Sequence, residues 1–181
     1  MPSADVPEAI HIPSATADPL AYQRALLEVV GDQDPLAVIA TTPAKARAIC
    51  ADLTLDVVDK DPAPGEWSVT QIIGHLHDVD IVYGFRWRLA LTEESPFYPG
   101  YDEGRWAQLP RLPFWQLLNA WEGLRATNSA LLNSLSEDQL KRTGLHGEQG
   151  AETIDIMVRK VAGHDIAHLN QLQRAAWSVR Q

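Results

Sequence analysis

Three of the six histidines in the sequence have a placement that suits metal binding. His164 and His168 are four residues apart, so on a helix they share one face, with Cβ atoms about 6 Å apart. His75 can approach them from a second helix. Neutral imidazoles are common ligands of zinc and similar metals, and three protein ligands leave one position open to water, as in catalytic zinc sites. We therefore expect His75, His164 and His168 to hold one divalent metal ion.

The alternative is that these imidazoles are ordinary core residues. An inward histidine is more often hydrogen-bonded to the protein than bound to a metal, and His164 could pair with Asp165 or another neighbour. The sequence by itself leaves both interpretations open. The remaining histidines are weaker candidates, because His77 is expected to face outward, His11 lies in the N-terminal segment and His146 lies in a loop.

The first candidate ligand lies on a helix whose start is well marked. Ser68 and Gln71 have the spacing of a capping box, in which each side chain bonds the other's backbone N–H. The apolar period continues from there to about Leu91. His75 falls within about 60° of Ile72 on this helix, and therefore on its inward side.

The other two candidate ligands lie on the last helix, predicted over about Thr153–Val179. At about 100° per residue, His164 and His168 fall beside Met157 and Val161, inside the apolar stripe. Their polar rings are therefore expected to face the core.

The rest of the chain completes an all-α architecture. Further helices are predicted over 42–55, starting at a Thr–Pro pair, and over 113–135, with a short helical stretch at 19–30. No convincing strand alternation is present. We expect residues 1–18 to form an extended N-terminal arm and residues 19–181 to form a four-helix bundle domain.

A long segment, 92–113, joins the second and third bundle helices. Fully extended, its roughly twenty residues span ~65 Å, whereas the preceding helix is only ~36 Å long. The segment can therefore cross the whole bundle and let these two helices run parallel, as in bundles with one crossover. Its side chains Tyr101, Asp102, Arg105 and Trp106 could cover the metal site, or simply pack as a loop with aromatic anchors.

Four segments of the sequence resemble the DinB-like superfamily, which includes DinB and YfiT relatives. They are PAPGEWSVTQIIGHLHDVD, PGYDEGRWAQL, HGEQGAETIDIM and VRKVAGHDIAHLNQL, and the resemblance extends over roughly 36–178. The resemblance implies an up-down-down-up bundle and metal ligation by His75, His164 and His168. It also implies nickel or zinc as the metal, and a thiol-dependent transferase, isomerase or hydrolase activity.

Other side chains are weaker site candidates. Asp78, one turn past His75, could orient that ring or accept a proton, although an exposed helix acid is the more ordinary interpretation. Gln171 could line the cleft, and Arg86 could bind an anionic substrate or extend to solvent at a helix end. Cys50 is interpreted as a small core residue rather than a reactive thiolate.

Bulk composition limits the classes of binding partner and the cellular compartment that we expect for this protein. The net charge of −9 argues against binding to nucleic acid or to an anionic membrane surface. No apolar run approaches the ~20 residues of a membrane span, and the first residues lack a secretory signal. Cys50 is the single cysteine, which fits a reducing compartment, so we expect a cytoplasmic protein.

Two functional hypotheses remain from the sequence. The first is a metal-dependent transferase or hydrolase acting on a small molecule, with a low-molecular-weight thiol as a candidate substrate. The second is a non-catalytic metal-binding or stress-related binding module. Six tryptophans in a small domain also suggest a homodimer, since tryptophan is enriched at interfaces.

Overall fold

The computed structural model describes residues 6–181, and the first five residues of the predicted arm lie outside them. Regular structure is mostly helical. The elements are α1 (Pro19–Val30), α2 (Pro35–Cys50), α3 (Val69–Thr92), β1 (Phe97–Tyr98), α4 (Glu103–Ala107), α5 (Phe114–Asn133), α6 (Glu137–Leu140), β2 (Thr143–His146), β3 (Gly150–Thr153) and α7 (Ile154–Val179). No helix among these residues combines the length and apolar character needed to span a membrane.

The four long helices pack as a ring. Helices α2 and α3 each pack against both α5 and α7, which confirms the predicted four-helix bundle. The additional helix α1 packs on α7, and Gly163 allows their close approach. A Cβ at Gly163 would lie only 2.0 Å from the carbonyl oxygen of Leu26, so any larger residue would push α1 away.

Helix α2 begins earlier than the sequence suggested, at Pro35 rather than Thr42, and it ends at Cys50 rather than near residue 55. Its actual cap is Asp34, whose carboxylate accepts a hydrogen bond from the N–H of Leu36 at 3.0 Å. Pro43 lies inside the helix instead of starting it. Proline has no N–H, so the carbonyl four residues earlier loses its helical donor.

A small sheet was not predicted. Strand β2 pairs with β3 in an antiparallel hairpin, and β1 pairs with β2 in parallel. The three strands have two to four residues each, too few for an alternating pattern to be recognised. Strand β1 and helix α4 lie in segment 92–113, called the crossover segment below. This segment therefore has regular structure and is not an irregular loop.

The core of the bundle has two apolar clusters. Trp121 and Leu172 belong to one of them, while Trp87 and Val161 belong to the other. Cys50 is fully buried in the first cluster, and burial raises the pKa of its thiol to about 12, which agrees with a structural rather than a reactive cysteine.

A buried polar network joins all four bundle helices. Arg125 of α5 donates from Nε to Asp80 of α3 at 2.6 Å, and from Nη2 to Asp165 of α7 at 3.0 Å. Its Nη1 donates to the carbonyl of Ile39 in α2 at 3.0 Å, which is the carbonyl that Pro43 leaves without a helical donor. Both carboxylate side chains are fully buried, and burial raises the pKa of Asp165 while the Arg125 guanidinium opposes that rise.

We predict that Arg125→Met lowers the free energy of unfolding by about 3–5 kcal/mol, because it leaves two buried carboxylates without their cation. Urea denaturation at neutral pH measures the change. The matched control is Arg159→Met, which breaks an ion pair with Asp155 that is about 40–50% exposed; it should cost about 0–1 kcal/mol. Equal losses in the two variants would contradict the assigned role of Arg125.

Candidate metal centre

The three histidines are positioned by the starts of two helices. The predicted capping box is present, with Ser68 Oγ accepting from the N–H of Gln71 at 3.2 Å and Gln71 Oε1 accepting from the N–H of Ser68 at 2.9 Å. His75 follows two turns later on α3. Helix α7 begins at Ile154 after the N-cap Thr153, whose side chain accepts a hydrogen bond from the N–H of Ile156, and it carries the other two histidines.

The structure brings His75, His164 and His168 together. One ring nitrogen from each lies within 4.8 Å of the others, and the Nε2 atoms of His75 and His164 are 2.8 Å apart. The three ring centroids are separated by 4.2–4.8 Å. His75 and His164 are buried, with 1% and 5% of their surface exposed, while His168 is partly buried.

The surroundings favour neutral imidazoles. Burial is the largest effect on each ring and holds the pKa of His75 and His164 well below the usual value. Burial also lowers the pKa of His168 to about 4. Neutral rings offer the lone pairs that a metal needs, whereas protonated rings offer none.

The donor set fits a divalent metal ion. Zinc binds imidazole nitrogen at about 2.0–2.1 Å, so tetrahedral ligation separates two ligand nitrogens by roughly 3.3 Å. The Nε2 atoms of His75 and His164 therefore need to move apart by only about half an ångström from their 2.8 Å separation. The buried Nδ1 of His164 has no hydrogen-bond partner among the described residues. A small ion between the three rings fits this cluster of facing nitrogens.

Two further side chains support the rings. Gln171 Oε1 lies 2.7 Å from Nδ1 of His168, so with Nδ1–H donating to it the lone pair of Nε2 is free. Trp67 packs beside the cluster, with its ring centroid 5.0 Å from that of His75 and 6.3 Å from that of His168. Gln171 thus fixes an imidazole rather than merely lining a cleft.

Asp78 is neither exposed nor bonded to His75. It is buried and accepts two hydrogen bonds from Arg111 of the crossover segment, at 2.7 and 2.6 Å. Arg111 also packs over Gly74, where a Cβ would lie 2.9 Å from its Nε. Asp78 therefore anchors the crossover segment beside the histidines. His77, half-buried, does not join the cluster.

The alternative partner for His164 is also excluded by geometry. Asp165 points away from it and binds Arg125 instead, since adjacent helix residues face about 100° apart. His164 is thus left to face His75 across the bundle.

A cavity of about 830 Å³ adjoins the three histidines, and His164 and His168 form part of its wall. Of the crossover side chains that were candidates to cover the site, Tyr101 and Asp102 line the cavity, whereas Arg105 and Trp106 do not. The N-terminal arm contributes residues 12–16 to the wall.

Several cavity residues were not found from the sequence or were interpreted differently. Lys160 is fully buried and bonds Glu152 of β3 at 2.5 Å. The sequence did contain a signal for Lys160, because it lies one helical turn before His164 and therefore on the same inward face of the helix. Arg86 is 3% exposed and lines the cavity rather than extending to solvent, and His146 lies in β2 with 5% exposure rather than in a loop.

Comparison with known proteins agrees with this centre. A family model described as the DinB superfamily matches residues 39–172, which include all three histidines and most of the bundle. The chain belongs to the DinB superfamily. Its membership confirms the family resemblance seen in the sequence.

Similar members of the superfamily carry names that propose a metal-dependent hydrolase. One, from Oceanobacillus iheyensis, is 33% identical over 145 residues, covering 77% of this chain and 84% of the relative. Another, from Halalkalibacterium halodurans, is 31% identical over 139 residues, covering 76% of this chain and 81% of the relative.

A solved structure of the same superfamily has a similar fold. YfiT from Bacillus subtilis, described as a probable metal-dependent hydrolase with an unusual four-helix bundle topology, superposes with a TM-score of 0.67 at 26% identity. The match covers 91% of this chain and 92% of YfiT.

We predict that Gln171→Leu weakens metal binding about 10- to 100-fold, because His168 loses the partner that orients its ring. Competition with a chromophoric chelator measures the affinity. Gln173→Leu is the control, since Gln173 lies on the exposed face of the same helix. An unchanged affinity in the Gln171 variant would show that His168 needs no such support.

Proposed function

We propose that this protein is a metal-dependent hydrolase whose metal, zinc or nickel, is held by His75, His164 and His168. The observation that carries the proposal is the convergence of three neutral imidazoles, two buried and one partly buried, beside a cavity of about 830 Å³ whose wall includes His164 and His168. A cavity of this volume suits a small-molecule substrate. When bound, the metal would supply Lewis acidity and make a water acidic enough to attack near neutral pH.

The protein's own part is to hold the ion with three ligands and leave a further position available. Among residues 6–181, no fourth histidine, cysteine or carboxylate joins the cluster. Structural zinc sites are usually closed by four protein ligands, so three ligands beside a cavity favour a catalytic site.

The neighbouring side chains position the ligands and limit water. Gln171 orients His168, and the Trp67 ring covers one side of the trio. Asp78 makes no hydrogen bond with the trio among the described residues, so we assign it a positioning role through Arg111, which fixes the crossover segment, rather than a catalytic one. Since no carboxylate of residues 6–181 joins the cluster, the chemistry depends on the metal.

The proposal includes the up-down-down-up chain path. Along α3 and α5 the contacts advance together, since Asp80 bonds Arg125 and Arg88 bonds Asn128 further on, as expected for parallel helices. Along α3 and α7 they run in opposite directions, since His75 meets His164 whereas Tyr83, further along α3, lies near Lys160, earlier in α7. These contacts support a crossover that returns the chain from the end of α3 to the end of the bundle at which α3 starts, so that α5 runs parallel to α3.

A thiol-dependent transferase is the second candidate, because an exchangeable metal position would accept a low-molecular-weight thiol as readily as water. The non-catalytic binding module is the third, and it requires that the position be closed. Cytoplasmic location, homodimer formation and the absence of nucleic-acid and membrane partners remain predictions from composition.

We predict that His164→Ala abolishes stoichiometric metal binding, whereas His77→Ala, which alters a histidine on α3 outside the cluster, retains it. Elemental analysis of untagged protein after equilibration with limiting zinc gives the metal content. The same metal content in both variants would refute the ligand assignment.

We also predict that the cobalt-substituted protein changes its visible spectrum when a small thiol or azide is added, since the metal keeps an exchangeable position. A screen of ester, amide and thiol-transfer substrates then separates hydrolase from transferase. A spectrum that neither ligand alters, with all substrates unreactive, would favour the binding module.

A further inference from the structure

Arg86 is a buried cation that forms no ion pair with a carboxylate of residues 6–181. Only 3% of its surface is exposed, yet it lines the cavity. Its guanidinium donates to the carbonyl of Pro99 at 2.9 Å and lies between the rings of Tyr83 and Tyr98, at 5.1 and 5.4 Å from their centroids. No carboxylate among the described residues lies within 4.0 Å of it.

Burying the Arg86 guanidinium costs free energy when no anion is bound beside it. Burying a guanidinium removes its hydration, and one carbonyl and two aromatic faces replace only part of it. The planar group has five N–H donors that suit a carboxylate, and among the described residues only its Nη2 donates a hydrogen bond. Its other two nitrogens have no hydrogen-bond partner among residues 6–181 and are not fully buried, so they can donate to a molecule in the cavity.

His146 adds a neutral donor to the same cavity. Its Nδ1 accepts hydrogen bonds from the N–H groups of Glu148 and Gln149, at 3.1 and 3.3 Å. The proton therefore resides on Nε2. Burial, with the charges of Arg86 and Lys160, lowers the pKa of His146 to about 4, so the ring is neutral at pH 7.

The charges around this region favour a single negative charge. Lys160 is already matched by Glu152, whereas Arg86 has only a longer-range attraction to Glu103, where it opposes the rise in the Glu103 pKa that burial causes. Asp102, Glu103 and Glu148 also line the cavity and disfavour a more highly charged anion.

We propose that Arg86 and His146 form a subsite for a carboxylate group of the substrate. The subsite lies about three helical turns along α3 from His75, a rise of roughly 16 Å. The substrate would therefore be an elongated monocarboxylate, whose reacting bond reaches the histidines while its carboxylate is bound at Arg86. This inference rests on the proposed function for the reacting end, but the subsite itself binds without metal.

The test uses isothermal titration calorimetry on full-length protein stripped of metal, with 4-phenylbutyrate as the probe and neutral 4-phenylbutyramide as its isostere. We expect the acid to bind wild-type protein at least about tenfold more tightly than the amide. Arg86→Gln should weaken binding of the acid about tenfold and leave the amide unaffected. Arg86→Lys should give an intermediate loss, and His146→Phe a smaller one.

Arg159→Gln is the matched control, because Arg159 is an arginine of α7 outside the cavity, and it should bind the acid as wild type does. Equal binding of acid and amide by wild-type protein would overturn the proposal without any variant. Tighter, Arg86-dependent binding of phenyl phosphate than of 4-phenylbutyrate would overturn the carboxylate assignment. Because no metal is present, these results are independent of the metal content of the His164 variant, which tests the proposed function.

Discussion

The arrangement of the bundle depends on the hydrogen bonds that Arg125 makes to the other three helices. From α5 it reaches a carboxylate on α3, a carboxylate on α7 and a backbone carbonyl on α2. Apolar packing between helices tolerates small rotations and slides, whereas several hydrogen bonds from one planar guanidinium do not. The network therefore sets the rotation and height of each helix relative to the others.

The same hydrogen bonds orient the helices that carry the candidate metal ligands. Asp165 and His164 are neighbours on α7 and face about 100° apart, so holding Asp165 toward α5 turns His164 toward α3. On α3, Asp80 in the network holds the helix that carries His75. The three imidazoles are therefore placed by the orientation of their helices and not by bonds among themselves.

The sequence was sufficient to predict three of the four bundle helices, α3, α5 and α7, and the approach of the three histidines, because both predictions rest on local spacing. The capping pair Ser68 and Gln71, and two histidines one turn apart, are short-range patterns that survive folding unchanged. The buried ion network was missed for the opposite reason. Asp80 and Arg125 are far apart in sequence, and charged residues on helices usually face solvent. The strands were missed because two to four residues are too few to show an alternating pattern, and the cavity wall was missed because its segments meet only in the folded chain.

Pro43 has a consequence for how this chain can change over evolutionary time. Its missing N–H leaves the Ile39 carbonyl free, and Arg125 takes the place of that donor. A lineage that lost Arg125 would leave this carbonyl unpaired and would gain from replacing Pro43 by a residue that restores the helical bond. A lineage that kept the arginine would instead be free to keep the proline. The two positions, on different helices, are therefore expected to be inherited together and to vary together.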